Sequence, residues 1–163
     1  MVIFGIDPGT ALTGYGVIKV ANNSVSCLDA GVIGTSPSLD LSDRLESIYD
    51  KLCEKMSLYK PSRVCIEEAF YGKNVHTTLV LGHARGVAML AARKSGAEVL
   101  EYSPREIKKA VTGNGNASKE QVAYMVKMIL PNAGDHEKTD TYDALAVALC
   151  DFNRAGCAAL GIR

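Results

Sequence analysis

The chain has 163 residues, as many acidic as basic side chains, and an apolar fraction of 47%. This length fits one domain, and the apolar fraction supports a buried core and excludes a disordered chain. No apolar run is long enough to cross a bilayer, and the N-terminus lacks a basic region and a small-residue cleavage site. We therefore expect a single domain over residues 1–163, without a membrane span or a secretory signal.

The cysteine pattern indicates a reducing compartment. The odd number of cysteines argues against a complete disulfide framework, and none of them forms a C-x-x-C pair. Cys65 lies in an apolar strand pattern and Cys53 in a helical one, which favours buried thiols over disulfides. We therefore predict a cytoplasmic protein whose cysteines are free. The five are Cys27, Cys53, Cys65, Cys150 and Cys157.

Charges of the two signs occupy different parts of the chain. Residues 1–69 carry six Lys or Arg against nine Asp or Glu, and residues 70–130 carry nine against four. Residues 131–163 carry three against five. Such a separation suits a metal site beside a phosphate-binding surface, although scattered solvated charges are the competing interpretation.

The first predicted strand ends on a carboxylate. Residues 2–7 form an apolar, β-branched run that stops at Asp7, and Pro8 and Gly9 then signal a turn. Ligands of open α/β sheets bind at the carboxyl ends of the strands, so Asp7 is a candidate functional residue. The alternative is an Asp that only caps the turn.

The rest of the chain alternates between strand and helix patterns. Short connections predict that the first three strands form an antiparallel meander, and a right-handed crossover makes the fourth strand parallel to the first. Ser38 and Asp40 are candidate caps of the first helix, and residues 156–163 are predicted to be a frayed tail. The predicted elements after the first strand are strands at 13–20 and 24–33, a helix at 39–58, a strand at 63–68, a helix at 75–94, a strand at 97–102, capped helices that begin at 104 and 119, and a last helix at about 139–153.

Small residues are frequent in the second predicted helix, which allows another backbone to approach closely. Tight packing within the chain is the usual reason, and a helix-mediated contact between subunits is the alternative. The small residues are Gly82, Gly86, Ala88, Ala91 and Ala92.

Further acids lie at the ends of other elements. The fourth strand ends in Glu67 and Glu68, and Asp140 and Asp143 lie one turn apart at the start of the last helix. If these acids meet Asp7, their repulsion is relieved best by Mg²⁺ or Mn²⁺, and paired ions of this kind serve phosphodiester hydrolysis. Only one of the two glutamates can point into such a site, and periodicity does not say which. Helix capping and solvation are the competing explanation for the two aspartates.

Taken together and in order, these motifs resemble the RuvC family of Holliday junction resolvases across nearly the whole chain. The segments that carry the resemblance are Gly5-Ile6-Asp7-Pro8-Gly9-Thr10, Thr13-Gly14-Tyr15-Gly16, Ile66-Glu67-Glu68-Ala69-Phe70, Lys73-Asn74, Leu81-Gly82-His83-Ala84-Arg85-Gly86-Val87-Ala88 and Asp140-Thr141-Tyr142-Asp143-Ala144-Leu145-Ala146.

The resemblance implies an RNase H-like α/β fold, with a mixed five-stranded sheet flanked by helices. It implies a homodimeric endonuclease of DNA recombination and repair that needs Mg²⁺ or Mn²⁺, with two ions per site, and nicks opposed strands of a four-way junction. A branch-migration motor is an implied partner. The resemblance assigns catalysis and metal binding to four acids, which selects Glu67 over Glu68. These are Asp7, Glu67, Asp140 and Asp143.

Some relatives have His in place of Asp140, and many have an amide in place of Glu68. The resemblance also implies DNA contacts. An aromatic ring at Phe70 is placed to stack on an unpaired base at the crossover, and Lys119 lies at a helix N-terminus, which favours anions. A core phenylalanine and solvated surface lysines are the alternatives. The expected DNA-binding residues are Phe70, Lys73, Arg85, Lys108 and Lys119.

Two other function classes compete with a junction nuclease. Nucleotide-binding phosphotransferases of the sugar-kinase or actin type share a similar first hairpin, but they are usually longer and carry a second glycine-rich loop. A non-catalytic protein that binds four-way DNA is the third possibility, and the intact set of acids argues against it.

Overall fold

The computed structural model describes residues 1–22, 24–68 and 74–159, the last four of these by their backbone alone. The strands of the described chain are β1 (Val2–Asp7), β2 (Leu12–Ala21), β3 (Ser24–Gly34), β4 (Arg63–Glu67) and β5 (Glu98–Tyr102). The α-helices are α1 (Leu41–Tyr59), α2 (Val75–Lys94), α3 (Pro104–Thr112), α4 (Lys119–Ile129) and α5 (Thr139–Ala159).

The five strands form one mixed sheet in the order β3-β2-β1-β4-β5. Strands β1, β2 and β3 are antiparallel neighbours, whereas β4 is parallel to both β1 and β5. The mixed five-stranded sheet predicted from the resemblance is therefore confirmed.

Helices cover both faces of the sheet. Successive residues of a strand point to opposite faces, so Ile3 packs under α3, α4 and α5 while Phe4 packs under α1 and α2. Both side chains are fully buried, as are Leu145 of α5 and Leu52 of α1 on the two sides. The sheet is therefore the middle of three layers, and its carboxyl-terminal edge lies open between the helices.

Local capping explains where several helices begin. Ser103 and Glu106 form a reciprocal capping box at α3, and Ser118 and Gln121 form another at α4. Both starts agree with the sequence prediction. Helix α1 begins after Asp40, whose side chain makes no capping hydrogen bond.

Helix α5 is longer than its apolar pattern predicts. It continues to Ala159, so the expectation of a frayed tail is wrong for residues 156–159. Two long-range contacts hold its last turns against α3: the amide of Asn153 donates to the carbonyl of Ala110 (2.8 Å), and Arg154 pairs with Glu106 (2.7 Å). The remainder of the predicted tail, residues 160–163, lies outside the described residues.

The cysteines whose side chains are described are free thiols, with Cys65 and Cys150 fully buried in the core. None of the helices in the described ranges has the length and hydropathy that a membrane crossing requires.

Candidate active site

Strand pairing places two of the predicted acids side by side. In the parallel register of β1 and β4, Ile6 lies opposite Ile66. Asp7 and Glu67 are the next residues along these two strands and the last of each. Both side chains therefore reach the carboxyl-terminal edge of the sheet at adjacent positions.

Glycines in the sheet bring the start of α5 to the same edge. A Cβ atom on Gly14 would overlap the carbonyl oxygen of Asp140, and one on Gly5 would overlap that of Ala144. Gly14 lies opposite Asp7 in the antiparallel pair of β1 and β2. The helix that carries Asp140 and Asp143 therefore rests directly on the strand backbone beside Asp7.

Three of the four predicted acids share one cavity. Its volume is about 120 Å³. Asp140 is not among the described residues that line it, although its charge is close enough to raise the pKa of Asp7. The lining residues are Asp7, Glu67, Pro104, Ile107, Lys108, Lys119, Val122, Asp143 and Ala146.

Crowding of the acids raises their proton affinity. Burial is the largest cause of the rise in the pKa of Asp7 to about 8, followed by the charges of Glu67 and Asp143. Burial and the charge of Asp143 likewise raise the pKa of Glu67 to about 7. Lys119 opposes both shifts without cancelling them. The acids thus form an undercompensated negative cluster, which is the electrostatic condition that favours a divalent cation.

Lysines from α3 and α4 line the same cavity. Lys119 is the first residue of α4, and its ammonium lies 2.8 Å from a carboxylate oxygen of Asp143, which raises its pKa. The charge of Lys108 of α3 also opposes the rise in the pKa of Glu67, without cancelling it. Two of the three predicted DNA-binding lysines, Lys108 and Lys119, therefore lie beside the acids, and Lys119 is paired to one of them.

The donor chemistry of the cluster suits a hard divalent cation, because every anionic side chain of the cavity offers carboxylate oxygens. As they are arranged here, no three or more His, Cys, Asp or Glu side chains of the described residues form a closed ligand set. The residues present therefore fit such an ion chemically, and they leave the number of ions open.

A second cavity adjoins the first. Its volume is about 260 Å³. Arg85, predicted as a DNA-binding residue, lies on its wall and forms an ion pair with Glu101 of β5. Glu68, which does not line the first cavity, lines this one. The described lining residues are Asp7, Pro8, Glu67, Glu68, Leu81, Arg85 and Pro104.

The remaining predicted DNA contacts, Phe70 and Lys73, lie outside the described residues.

Sequence reasoning missed a buried polar network below the site. Asp151 of α5 is 2% exposed and accepts a hydrogen bond of 2.7 Å from the hydroxyl of Tyr102, the last residue of β5. Arg63 of β4 also donates to Asp151, at 3.3 Å. The sequence signal for this network was an acid in the apolar half of a helix. The network ties α5 to β5 and to β4, the strand that carries Glu67.

Comparison with known proteins identifies the family that this chain resembles. The model of the family described as crossover junction endodeoxyribonuclease RuvC matches residues 3–151. A protein of that description from Ruminiclostridium cellulolyticum is 48% identical over 153 residues, which covers 94% of this chain and 92% of the relative. Another, from Pelotomaculum thermopropionicum, is 45% identical and covers 92% of each chain.

Solved structures give the same result. The structure described as Thermus thermophilus RuvC in complex with Holliday junction substrate superposes with a TM-score of 0.89 at 33% identity, covering 97% of this chain and 96% of that one. The yeast mitochondrial Holliday junction resolvase Ydc2 shares the fold, with a TM-score of 0.66 at 16% identity. The RNase H-like fold expected from the resemblance is confirmed, and the chain belongs to the RuvC family of crossover junction endodeoxyribonucleases.

Proposed function

We propose that this protein is an endonuclease that resolves four-way (Holliday) DNA junctions by paired hydrolysis of phosphodiester bonds. The observation that carries the proposal is the meeting of Asp7, Glu67 and Asp143 in one cavity, beside two lysines, in a chain of the RuvC family. Acids able to hold cations and bases able to hold phosphates are what such a reaction needs. The relative from T. thermophilus, whose structure was solved with a Holliday junction substrate, supports the choice of DNA.

Asp7, Glu67 and Asp143, with Asp140 next to them, are the proposed ligands of Mg²⁺, for which Mn²⁺ can substitute. Two ions per site suit the number of carboxylates. When bound, these ions supply Lewis acidity that activates water and stabilises the leaving oxygen. Asp7 is the proposed bridging ligand, because it borders both cavities and its pKa responds to the charges of all three other acids.

The basic side chains orient the DNA in this proposal. Lys108 and Lys119 border the acids and hold the DNA backbone on one side of the scissile phosphate. Lys119, which pairs with Asp143 here, would be free to bind a phosphate if Asp143 held a cation. The products carry a 5′-phosphate and a 3′-hydroxyl.

We further propose that residues 1–163 work as one nuclease domain in a cytoplasmic homodimer. Leu79 and Leu90 of α2 are exposed, and a Cβ atom on Gly82 or Gly86 would meet no atom of the described residues within 4 Å. These four residues repeat at helical spacing on one face of α2. An isologous dimer across this face would present two equal sites to the two equivalent strands of a junction.

A synthetic four-way junction tests the proposal directly. The wild-type protein should nick two opposed strands in Mg²⁺ and none in a chelator. Asp7→Asn should lower the cleavage rate by at least about a thousandfold, because it removes a ligand that both ions share, while binding of the junction changes little. Nick positions on end-labelled strands and a gel-shift assay measure the two effects.

Full cleavage by Asp7→Asn in Mg²⁺ would contradict the assignment. Binding of the junction without any nick in any divalent metal would indicate the non-catalytic alternative. Tight ATP binding would indicate the phosphotransferase, which the family match does not favour.

A further inference from the structure

The two cavities at the sheet edge form one groove. Both are lined by Asp7, Glu67 and Pro104, so they meet at the acids. One end of the groove is bordered by Lys108 and Lys119 from α3 and α4, and the other by Arg85 from α2. The acids therefore occupy the middle of a groove that has cationic side chains at both ends.

Arg85 has hydrogen-bonding capacity that the fold does not use. Its guanidinium pairs with Glu101, but its Nε is buried and has no partner among the described residues. A partly exposed ion pair adds little stability, whereas a buried donor without a partner is costly. A purely structural role therefore does not account for an arginine at this position.

The surroundings of Arg85 point to an anionic ligand. The described wall of this cavity includes Leu81 and Pro8, which offer no acceptor side chain, and Glu68, which carries a carboxylate. The other two acids of the cavity, Asp7 and Glu67, are ligands of the proposed cations, which would neutralise them. A guanidinium presents a planar fork of donors that matches the oxygens of a phosphate. DNA that runs through the groove with its scissile phosphate over the acids brings a neighbouring phosphate to the Arg85 end.

We propose that Arg85 binds the phosphate that neighbours the scissile one, on the side of the acids away from Lys108 and Lys119. Glu101 holds the guanidinium in place until the DNA enters. The proposal deepens the junction-nuclease function and depends on it: the lysines hold one side of the strand, and Arg85 holds the other. The test also gives the direction of the DNA strand in the groove, because it identifies whether Arg85 contacts the 5′ or the 3′ neighbour of the scissile phosphate.

The test combines protein variants with junctions in which one phosphate at a time is replaced by an uncharged methylphosphonate. For the wild type, neutralising the phosphate held by Arg85 should slow cleavage by about tenfold to a hundredfold, the range of one charge-assisted hydrogen bond. Arg85→Gln should cause a similar loss on the unmodified junction. Combining the two changes should cost little more than either alone, because both remove one contact.

Matched variants make the result specific. In Lys119→Gln, the methylphosphonate effect that weakens should be that of a phosphate on the other side of the nick. The loss of rate in this variant should be additive with the loss from neutralising the phosphate that Arg85 holds. Lys51→Gln removes one exposed positive charge from α1 that borders neither cavity, and it should leave the wild-type rate and the wild-type pattern of phosphate effects. Arg85→Lys keeps the charge and loses the fork, so it should recover the rate only in part.

The proposal is overturned if Arg85→Gln cleaves like Lys51→Gln, or if its loss multiplies with every methylphosphonate position. If Arg85→Gln loses its native circular dichroism spectrum, Arg85→Met takes its place, and the full wild-type effect of the methylphosphonate in that uncharged variant overturns the proposal as well. A wild-type protein that nicks no junction refutes the proposed function itself, whereas nicking without coupling refutes only the role of Arg85.

Discussion

Asp7 shows how the environment of one side chain prepares it for a cation. It lies at the end of β1, next to Glu67 and within reach of the charges of Asp143 and Asp140. Burial and these neighbours raise its pKa to about 8, and the ammonium of Lys119 lowers it too little to prevent this. At neutral pH the cluster therefore retains protons that a divalent cation would displace, so cation binding should release protons.

The raised pKa values predict how stability depends on pH. Above about pH 4 the folded protein holds protons that the unfolded chain has lost, on Glu67 up to about pH 7 and on Asp7 up to about pH 8, so stability falls as the pH rises through this range. In a chelator, the free energy of unfolding of the wild type should fall by on the order of 1 kcal/mol per pH unit in this range. Asp7→Asn should reduce that slope by half or more. Urea unfolding at several pH values measures it.

The matched control for this prediction is Asp50→Asn, which removes an exposed acid of α1. It should keep the wild-type slope. Equal slopes for the wild type and Asp7→Asn would show that Asp7 does not hold a proton in the folded protein.

At the scale of elements, the site depends on how closely α5 approaches the sheet. Gly5 and Gly14 leave no room for a side chain between the strands and the helix. The helix therefore packs closer to β1 and β2 than it could if these positions carried side chains. This close packing brings Asp143 into the cavity of Asp7 and Glu67. Close packing here serves the geometry of the site as well as the core.

Gly14→Ala should disturb both the packing of the core and the geometry of the site. Its methyl group would meet the carbonyl oxygen of Asp140, which is backbone and cannot turn aside. We expect a loss of about 1–3 kcal/mol in the free energy of unfolding, the usual cost of overpacking, and slower junction cleavage. Chemical unfolding and the nicking assay measure the two effects.

Gly34→Ala is the control, because a Cβ on Gly34 meets only the flexible tip of Leu12 at 3.6 Å. It should change stability by less than about 0.5 kcal/mol. If Gly14→Ala is equally harmless, α5 does not need the close approach.

At the scale of the whole molecule, an exposed face of α2 that carries apolar and small residues is the candidate surface for contact between subunits. Leu79 and Leu90 are 61% and 53% exposed, and their spacing places both on one face of the helix. They flank Gly82 and Gly86, where a second backbone can approach. Two copies joined at this face would give the two-fold symmetry that paired cutting of a junction requires.

Replacing Leu79 and Leu90 together by Glu should convert the proposed dimer to a monomer, because the new carboxylates of both copies would face each other across the two-fold axis. Sedimentation velocity should show the mass halved, and the two nicks in one junction should become uncoupled. Leu58→Glu is the control, since Leu58 is at least as exposed but lies on α1. A monomeric wild type, or a double variant that stays dimeric, would contradict this interface.

The sequence predicted where helices begin better than it predicted where the last helix ends. The starts of α3 and α4 followed from Ser103 and Ser118, whose capping partners lie three residues away. The end of α5 did not, because its last turns are held by Ala110 and Glu106, more than forty residues earlier in the chain.

The features of the site likewise fall into those that local sequence patterns predict and those that they do not. The sequence by itself determined that acids end β1 and β4 and begin α5, since strand and helix periodicity and turn residues are local signals. Only the tertiary structure decided that Asp143 enters the cavity while Asp140 stays beside it, that Lys119 pairs with an acid, and that Arg85 closes the far end of the groove. Those outcomes depend on strand register and on helix approach over glycine, which are contacts between distant residues that no local pattern encodes.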